Sequence, residues 1–467
     1  MTRIASADGI DFDADVPLVI VGAGAAGLCA ALAAKEAGVD PIVIERDPLP
    51  SGSTALSAGL IPAAGTRFQR ARGINDSPEL FAADIARKAH EESDPAIVAA
   101  VALESGPLVD WLADRYDMPF DVVDNFSSPG HSALRMHGLP DRTGRELIDR
   151  LRRAAEDSEI VILTDSTVER LYMAPGDVVR GVEIARADAT RERIGCRALI
   201  LACNGYGGEP ALVRRFIPEM VNALYFGHPG NRGDAVLWGE ALGAGLRHLG
   251  AYQGHGSVAT PHNILITWAA IMQGGFQVNR QGRRFCDESQ GYSEQAREVL
   301  RQPGGVGWDI FDERIAVIAR QFEDFRTAES SGALIRANSR DELASAIGVP
   351  AEAFAAEWDA VEAAKADDSW DRFGRKFMPS QKLTPPYCAV MVTGALFHTQ
   401  GGLAVDTAAR VLRKDRSAFP NLFAAGGAAA GVSGETAAGY LSGNGLLTAT
   451  TLGRIAGRGA ARLAAKS

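Results

Sequence analysis

Cysteine is scarce in this chain and follows no metal-binding pattern. Cys29, Cys196, Cys203, Cys286 and Cys388 are odd in number and far apart, with no CxxC, no haem-attaching CxxCH and no Cys/His cluster. Zinc, iron–sulfur and c-type haem sites lose their usual motifs, and no metal is expected. A scattered, odd set suits buried thiols in a reducing compartment, so a cytoplasmic location is expected. No block of Lys and Arg occurs, and net charge is −10 with a pI near 5.4. A nucleic-acid partner needs a basic face, so that class is set aside. Long apolar runs are also missing. Residues 16–34 come nearest, but three glycines interrupt them and Asp11, Asp13 and Asp15 precede them. That pattern fits neither a signal peptide nor a clean membrane span, and no membrane partner is expected. Repeats, coiled-coil heptads and low-complexity tails are not evident.

What remains is an ordinary globular composition, 46% hydrophobic and 23% charged, over 467 residues. That length predicts about two or three domains. Glycine is in excess, at 51 residues, and gathers in short turns where backbone can approach a ligand. Residues 17–21 read as a buried parallel strand. Gly22-Ala23-Gly24-Ala25-Ala26-Gly27 follows, then an Ala-rich helix to Ala37, a stop at Gly38 and a second strand over 40–45. This is a βαβ unit carrying GxGxxG. Gly22 makes the tight turn, Gly24 lets backbone reach a pyrophosphate, and Gly27 lets helix and strand pack closely. The pyrophosphate then meets the free N–H groups and dipole of a helix N-terminus. Glu45, 23 residues after Gly22, stands where a carboxylate takes a ribose hydroxyl. By itself this element does not separate FAD from NAD.

Helical patterns fill 77–116, and strand patterns at 160–164, 168–173, 179–184 and 198–202 suggest a second β-layer. From about 250 to 397 the chain gains aromatics (Trp268, Phe276, Phe285, Tyr292, Trp308) and an acidic helical stretch over 341–366. This reads as an inserted cap. Strands at 401–405 and 422–427 and a closing helix over 446–463 follow. The expected fold is α/β with α+β elements: a Rossmann-type domain in two parts, 1–249 and 398–467, around an α+β substrate cap at 250–397.

The far end of the chain separates the cofactors. Leu199-Ile200-Leu201-Ala202-Cys203-Asn204-Gly205 resembles the "LATGG" strand that returns to an FAD site. Phe419-Pro420-Asn421-Leu422-Phe423-Ala424-Ala425-Gly426-Gly427 resembles the second flavin motif. Gly443-Asn444-Gly445-Leu446-Leu447 opens a helix whose dipole can stabilise the anionic edge of reduced flavin. Together these resemble the flavoprotein family of fumarate reductase, succinate dehydrogenase and the 3-ketosteroid dehydrogenases, across nearly the whole chain. The resemblance implies FAD held by Gly22, Gly24, Ala25, Ala26, Gly27, Glu45 and Arg46. Ser53, Thr54, Ser57, Ala58 and Gly59 would lie beneath the flavin ring. Val168, Ala202, Gly205, Gly427, Gly443, Asn444, Leu446 and Leu447 would complete the contacts. Membrane-bound relatives attach flavin covalently through a histidine in that loop; Ser53 occupies its register here, so non-covalent FAD is expected.

Gln277-Val278-Asn279-Arg280-Gln281-Gly282-Arg283-Arg284-Phe285-Cys286-Asp287-Glu288 resembles the family's "VNxxGxRFxxE" cap signature, and Phe397-His398-Thr399-Gln400-Gly401-Gly402 its "HHTMGG". Fumarate reductases use an arginine seven residues after the signature Phe, the histidine before TxGG, and an arginine before the last GN. The registers here hold Tyr292, His398 and Tyr440, and the proton-relay positions hold Trp268 and Ile271. A dicarboxylate needs cationic forks, so the two phenols point to a neutral ketone. Glu288-Ser289-Gln290-Gly291-Tyr292 resembles the "ESxxY" of ketosteroid dehydrogenases, and Gly439-Tyr440-Leu441-Ser442 their "GYxS". The resemblance implies Tyr292 as base and Tyr440 as donor to the keto oxygen, with His398 and Ser442 beside them. Polarising the carbonyl acidifies the α C–H, the base takes that proton, and the β-hydride passes to flavin. An external electron acceptor or donor is then required.

His255 falls near the other substrate-histidine register, with a loop histidine as the alternative. The cluster Ser127-Ser128-Pro129-Gly130-His131, with Arg135 and His137, borders either the site or solvent. Two other functional readings stand beside the ketone one. In the first, the enzyme reduces an unsaturated carboxylate and Arg135 or Arg283 replaces the missing clamps. In the second, the chain is an electron-transfer subunit with no substrate of its own.

Overall fold

A computed structural model describes residues 3–124 and 128–465, so Ser127 of the polar cluster lies outside the described residues. The chain divides into two compact units. The first comprises Met1–Ile217, Gly227–Tyr252 and His398–Ser467; the second comprises Pro218–Phe226 and Gln253–Phe397. Residues 218–226, which the sequence reading leaves with the dinucleotide domain, thus belong to the second unit. They join it because Leu224–Tyr225 pairs in parallel with its long strand Tyr387–Thr399.

The first unit is built on a nine-stranded sheet. Its path runs Ile4–Ser6, Ser166–Ala174, Val178–Arg186, Arg191–Leu201, Ala14–Val21, Pro41–Ile44 and Val161–Leu163. The strand group expected as a separate second layer is joined to the parallel sheet through one strand. Arg191–Leu201 is long enough to serve both. Its first half pairs antiparallel with Val178–Arg186, while Leu199, Ile200 and Leu201 pair in parallel with Leu422, Phe423 and Ala424. Its other edge pairs in parallel with Ala14–Val21. Leu18, Val19 and Ile20 are fully buried, as a strand covered on both faces requires.

Two helices cover the cofactor-side strands and run alongside each other. A Cβ on Gly453 would lie 2.3 Å from the Ala26 carbonyl oxygen, and one on Gly457 2.1 Å from that of Ala30. Helix Asn444–Ala464 therefore packs backbone against backbone on Ala25–Glu36. Residue pairs 26/453 and 30/457 run in the same direction, so the helices are parallel. Helix Asn444–Ala464 then begins about eight residues, roughly 12 Å, before the other starts. The unit also holds helix Pro95–Tyr116, 22 residues long and apolar enough to cross a membrane by length and composition, with 61% of its apolar window buried inside the protein.

The second unit folds around a seven-stranded sheet. Its path is Ile264–Leu265, Tyr252–Ala259, Tyr387–Thr399, Val306–Asp312 and Phe276–Val278, with Leu334–Ala337 and Leu224–Tyr225 also on the long strand. Helices Arg340–Ile347 and Ala351–Ala366 belong to it. Phe276, Phe311, Phe325 and Phe354 fill its core.

Candidate functional site

The glycine turn resolves into three different jobs. Gly22 has φ +104, and a Cβ there would sit 2.5 Å from the Ala202 carbonyl oxygen. A Cβ on Gly27 would sit 1.8 Å from the Gly22 carbonyl oxygen. Both are bare because backbone passes against them. Gly24 differs: it caps the helix in extended backbone, φ −74 and ψ −175, and the nearest atom to a Cβ would be Thr54 Oγ1 at 3.6 Å. Open space therefore lies beside a helix N-terminus with no side-chain cap, the arrangement that receives an anion. Ala25 donates its N–H to Thr54 Oγ1 at 3.1 Å, and Ala26 and Gly27 follow in the first turn. Glu45 is buried and accepts from the Ala23 N–H at 2.7 Å and the Asp47 N–H at 3.1 Å. A carboxylate has further lone pairs for a hydroxyl.

The loop expected beneath the flavin is pinned from two sides. Gly144 donates its N–H to the Ser57 carbonyl at 2.7 Å, and a Cβ on Gly144 would strike the Thr54 carbonyl oxygen at 1.8 Å. Ser57 Oγ donates to the Thr54 carbonyl at 2.7 Å and accepts from Gly59 N–H at 3.1 Å, with Ala58 between them. Gly59 takes φ +65 against Thr143. From the other side, Asn231 Nδ2 donates to Ser53 Oγ at 2.9 Å, and His228 pairs with Asp47 at 2.9 Å. Arg46 donates to the Gly230 carbonyl and lies 3.4 Å from Asp234. The segment 228–231 carries no motif, and sequence reasoning missed it.

Ala202 closes the central strand, donating its N–H to the Val21 carbonyl. Gly205 and Gly427 let the two returning strands meet: Cβ atoms there would strike Thr399 Oγ1 at 2.0 Å and Asn204 Oδ1 at 2.3 Å. Val168 is buried in Ser166–Ala174. Gly443 caps the last helix with φ +85, followed by Asn444, Leu446 and Leu447 in its first turn. Asn444 is fully buried, yet its Oδ1 has no hydrogen-bond partner among the described residues. An orphaned acceptor costs about 1–3 kcal/mol, and a bound group with a donor would relieve it. An open helix end and a buried acceptor at a second helix end both fit an extended dinucleotide.

In the same unit, His398 is half-buried, and Tyr440 meets it edge-on at 5.7 Å between ring centroids. Burial pulls the His398 imidazole down to about 4, so it is neutral. Ser442 is buried, and its carbonyl accepts from His131 Nε2 at 2.9 Å. Arg135 donates to His131 Nδ1 at 3.2 Å, which leaves the histidine proton on Nε2. Burial likewise drives His131 down to about 4. Arg135 is itself saturated. Its Nε and Nη2 grip Asp76 at 2.9 and 2.7 Å, its Nη1 holds Asp84, and all three side chains are fully buried. This guanidinium braces the Tyr440–Ser442 loop and is already bound by two carboxylates. Arg283 is exposed. His137 is structural, donating from Nδ1 to the Arg135 carbonyl and accepting from Thr66 Oγ1 at 2.8 Å.

In the second unit, Gly291 takes φ +152, a region reserved for glycine, and so starts helix Tyr292–Leu300 with Tyr292 as its first residue. Gly256 and Gly394 bring that helix onto two strands: Cβ atoms there would strike Gln295 at 2.7 Å and the Ala296 carbonyl at 2.2 Å. Tyr292 consequently stacks on His255 at 4.9 Å, His255 on Phe397 at 5.6 Å, and Phe397 on Phe226 at 4.9 Å, all within 23° of parallel. Trp268 stands edge-on to His255 at 5.6 Å, and its buried Nε1 has no hydrogen-bond partner among the described residues. His255 lies on strand Tyr252–Ala259 rather than in a loop. Its Nδ1 accepts from the Ser257 N–H at 3.1 Å, and burial lowers it to about 3, leaving a neutral ring with Nε2 protonated.

Comparison with known proteins agrees with this architecture. A family model described as an FAD binding domain matches residues 17–446. A probable fumarate reductase of Shewanella frigidimarina is 30% identical over 445 residues, 95% of this chain and 74% of that protein. The open conformation of a flavocytochrome c3 fumarate reductase superposes with a TM-score of 0.82 at 30% identity, covering 97% of this chain and 79% of the other. A 3-ketosteroid-Δ4-(5α)-dehydrogenase from Rhodococcus jostii RHA1 shares the fold, with a TM-score of 0.79 at 24% identity, covering 98% of this chain and all of the other. The chain is an enzyme that uses FAD to oxidise or reduce carbon–carbon bonds, and it belongs to the FAD-dependent fumarate reductase and succinate dehydrogenase flavoprotein family.

Proposed function

We propose that this enzyme adds or removes hydrogen across the C=C bond α,β to the carbonyl of an uncharged, ring-bearing ketone. The observation that carries the reading is the column of four stacked rings, Phe226, Phe397, His255 and Tyr292, with the Trp268 edge beside it. Stacked aromatic faces favour a planar, apolar substrate, and the histidine in the column is neutral. FAD, when bound, supplies the hydride acceptor or donor. Tyr292 takes or returns the proton α to the carbonyl. As first residue of helix Tyr292–Leu300, it sits where the partial positive charge of the helix favours a phenolate. Tyr440 donates its phenolic hydrogen to the carbonyl oxygen and His398 supplies a second polar contact. Ser442 completes the Tyr440 loop. Ser53 in the flavin loop supports non-covalent FAD. Substrate is a small molecule, and an external carrier must supply or remove the electrons. All five cysteines are unpaired, which supports a cytoplasmic location.

A second reading, reduction of an unsaturated carboxylate, has the fumarate reductase relatives in its favour. It needs a cation for the carboxylate, and Arg135 is already bound to Asp76 and Asp84. Anaerobic titration separates the two. Saturated cyclic ketones should bleach the oxidised flavin and enones should restore its colour. A response to succinate and fumarate with none to any ketone or enone would overturn the proposal.

A further inference from the structure

His398 lies at the end of a buried hydrogen-bond chain that runs back to the first residue of the last helix. Asn444 Nδ2 donates to Ser433 Oγ at 3.1 Å, Ser433 Oγ donates to Gln400 Oε1 at 2.9 Å, and Gln400 Nε2 donates to His398 Nδ1 at 2.9 Å. Gln400, Ser433 and Asn444 are all at most 4% exposed, so water does not compete. Each link dictates the next. An amide nitrogen only donates, so Ser433 accepts from Asn444 and must aim its single proton at Gln400. That fixes which end of the Gln400 amide faces the histidine. The amide nitrogen then demands a lone pair on Nδ1, and a neutral imidazole with a lone pair on Nδ1 carries its proton on Nε2.

We propose that Gln400 is a positioning residue that holds His398 as the neutral Nε2–H tautomer, so that the histidine meets the substrate carbonyl oxygen as a hydrogen-bond donor. The inference rests on the reading of His398 as a substrate contact. It deepens that reading by giving the ring a direction: an uncharged N–H donor suits the oxygen of a ketone and the charge it gains as the α-proton leaves. The rival arrangement is on the same ring. His398 Nδ1 also lies 3.4 Å from the Thr399 carbonyl, a contact that would need Nδ1 to donate. One proton cannot serve both, and the 2.9 Å amide is the shorter. Two glycines make room for the chain. A Cβ on Gly445 would lie 2.8 Å from His398 Nε2, and one on Gly431 3.1 Å from Gln400 Oε1. The N-terminus of helix Asn444–Ala464 beside the ring also opposes a second proton on it. In the sequence, Gln400 stands where the family's HHTMGG motif has methionine, a residue that cannot donate.

The test is nitrogen NMR of 15N-histidine-labelled, FAD-loaded enzyme, with the His398 signal identified by its loss in His398→Gln. The wild type should show Nε2 protonated and Nδ1 bare. Gln400→Glu removes the donor and offers an acceptor, and Gln400→Leu leaves Nδ1 to the Thr399 carbonyl. Both should move the proton to Nδ1 and lower kcat by about 10²–10³-fold, the cost of a lost oxyanion donor, with FAD content retained. Gln400→Asn keeps the amide and should recover part of kcat together with the Nε2–H signal. A wild-type signal from Nδ1–H, or a tautomer unchanged in Gln400→Glu and Gln400→Leu, would overturn the positioning role. A switched tautomer with kcat unchanged would instead overturn the reading of His398 as a substrate contact and leave the tautomer assignment standing.

Discussion

Substitutions at Gly24 and Gly27, three residues apart, should fail for opposite reasons. A methyl on Gly27 would overlap the Gly22 carbonyl oxygen at 1.8 Å and press on Ile20 Cγ2 at 3.4 Å. The helix must then lift from the strand, an overpacking cost of about 1–3 kcal/mol or more. A methyl on Gly24 meets nothing nearer than 3.6 Å, and φ −74 is open to any residue. Losing a glycine N-cap costs stability, while restricting the unfolded chain returns some, and the two offset to within about 1 kcal/mol. Gly24→Ala and Gly24→Val should therefore fold, yet fill the space the pyrophosphate needs. FAD should bind at least tenfold more weakly, about 1.4 kcal/mol, and more so for valine. Gly27→Ala should lose stability first and flavin as a consequence. The assay is urea unfolding of the apoprotein beside the flavin-to-protein absorbance ratio after desalting. Full flavin occupancy in Gly24→Val would refute the assignment of that space, and so would unfolding of Gly24→Ala as severe as that of Gly27→Ala.

Acid or heat denaturation should release all the flavin to a filtrate, since Ser53 cannot form a covalent link; yellow colour that stays with the polypeptide would count against this. Arg135→Met should cost about 3–5 kcal/mol in urea unfolding, because it strands Asp76 and Asp84 buried without their partner. A folded, stable variant with raised KM for carboxylates alone would mark Arg135 as a substrate clamp instead. Burial pushes Asp309 up to about 7, against lowering hydrogen bonds from Ser257 and Gln277. The folded state therefore holds a proton that the unfolded chain releases near pH 4, so this group's stability is fully present below pH 4 and is lost as pH rises to about 7. Asp309→Asn should remove that slope, up to about 1.4 kcal/mol per pH unit, in urea midpoints measured from pH 4 to pH 8; an unchanged slope would contradict it.

Local signals made much of the fold legible. The glycine turn placed helix Ala25–Glu36 and its flanking strands to within a few residues, because turn, period and stop signal all lie inside one stretch of chain. The last helix and its glycine cap were legible for the same reason. The joined sheet was not: a strand pattern gives no sign that Arg191–Leu201 is shared between two pairings at successive halves of its length. Contacts across the chain were invisible. Arg135 read as a spare cation because Asp76 and Asp84 lie 59 and 51 residues away. Ser433 meets Gln400 from 33 residues on and Asn444 meets Ser433 from 11 further along, and none of the three is a residue type that signals chemistry. His255 read equally well as a loop residue, since its ring neighbours Tyr292 and Phe397 come from distant segments. A polar residue inside the TxGG motif was the one signal that could have pointed to Gln400.

The central claim is that tyrosine chemistry at an FAD site acts on an uncharged ketone, and Tyr292→Phe tests it most directly. The substitution removes one hydroxyl and keeps the ring, so stacking on His255, folding and flavin content should persist. With the best ketone from the anaerobic titration and an artificial acceptor, kcat should fall about 10²–10⁴-fold, the usual cost of a lost acid–base group. Tyr440→Phe should cost about 10²–10³-fold as a lost oxyanion donor, and the double variant should fall short of the product of the two. If Tyr292→Phe keeps more than about a tenth of wild-type kcat, a deficit under ~1.4 kcal/mol, with flavin fully bound, the phenol is not the proton carrier and the claim fails.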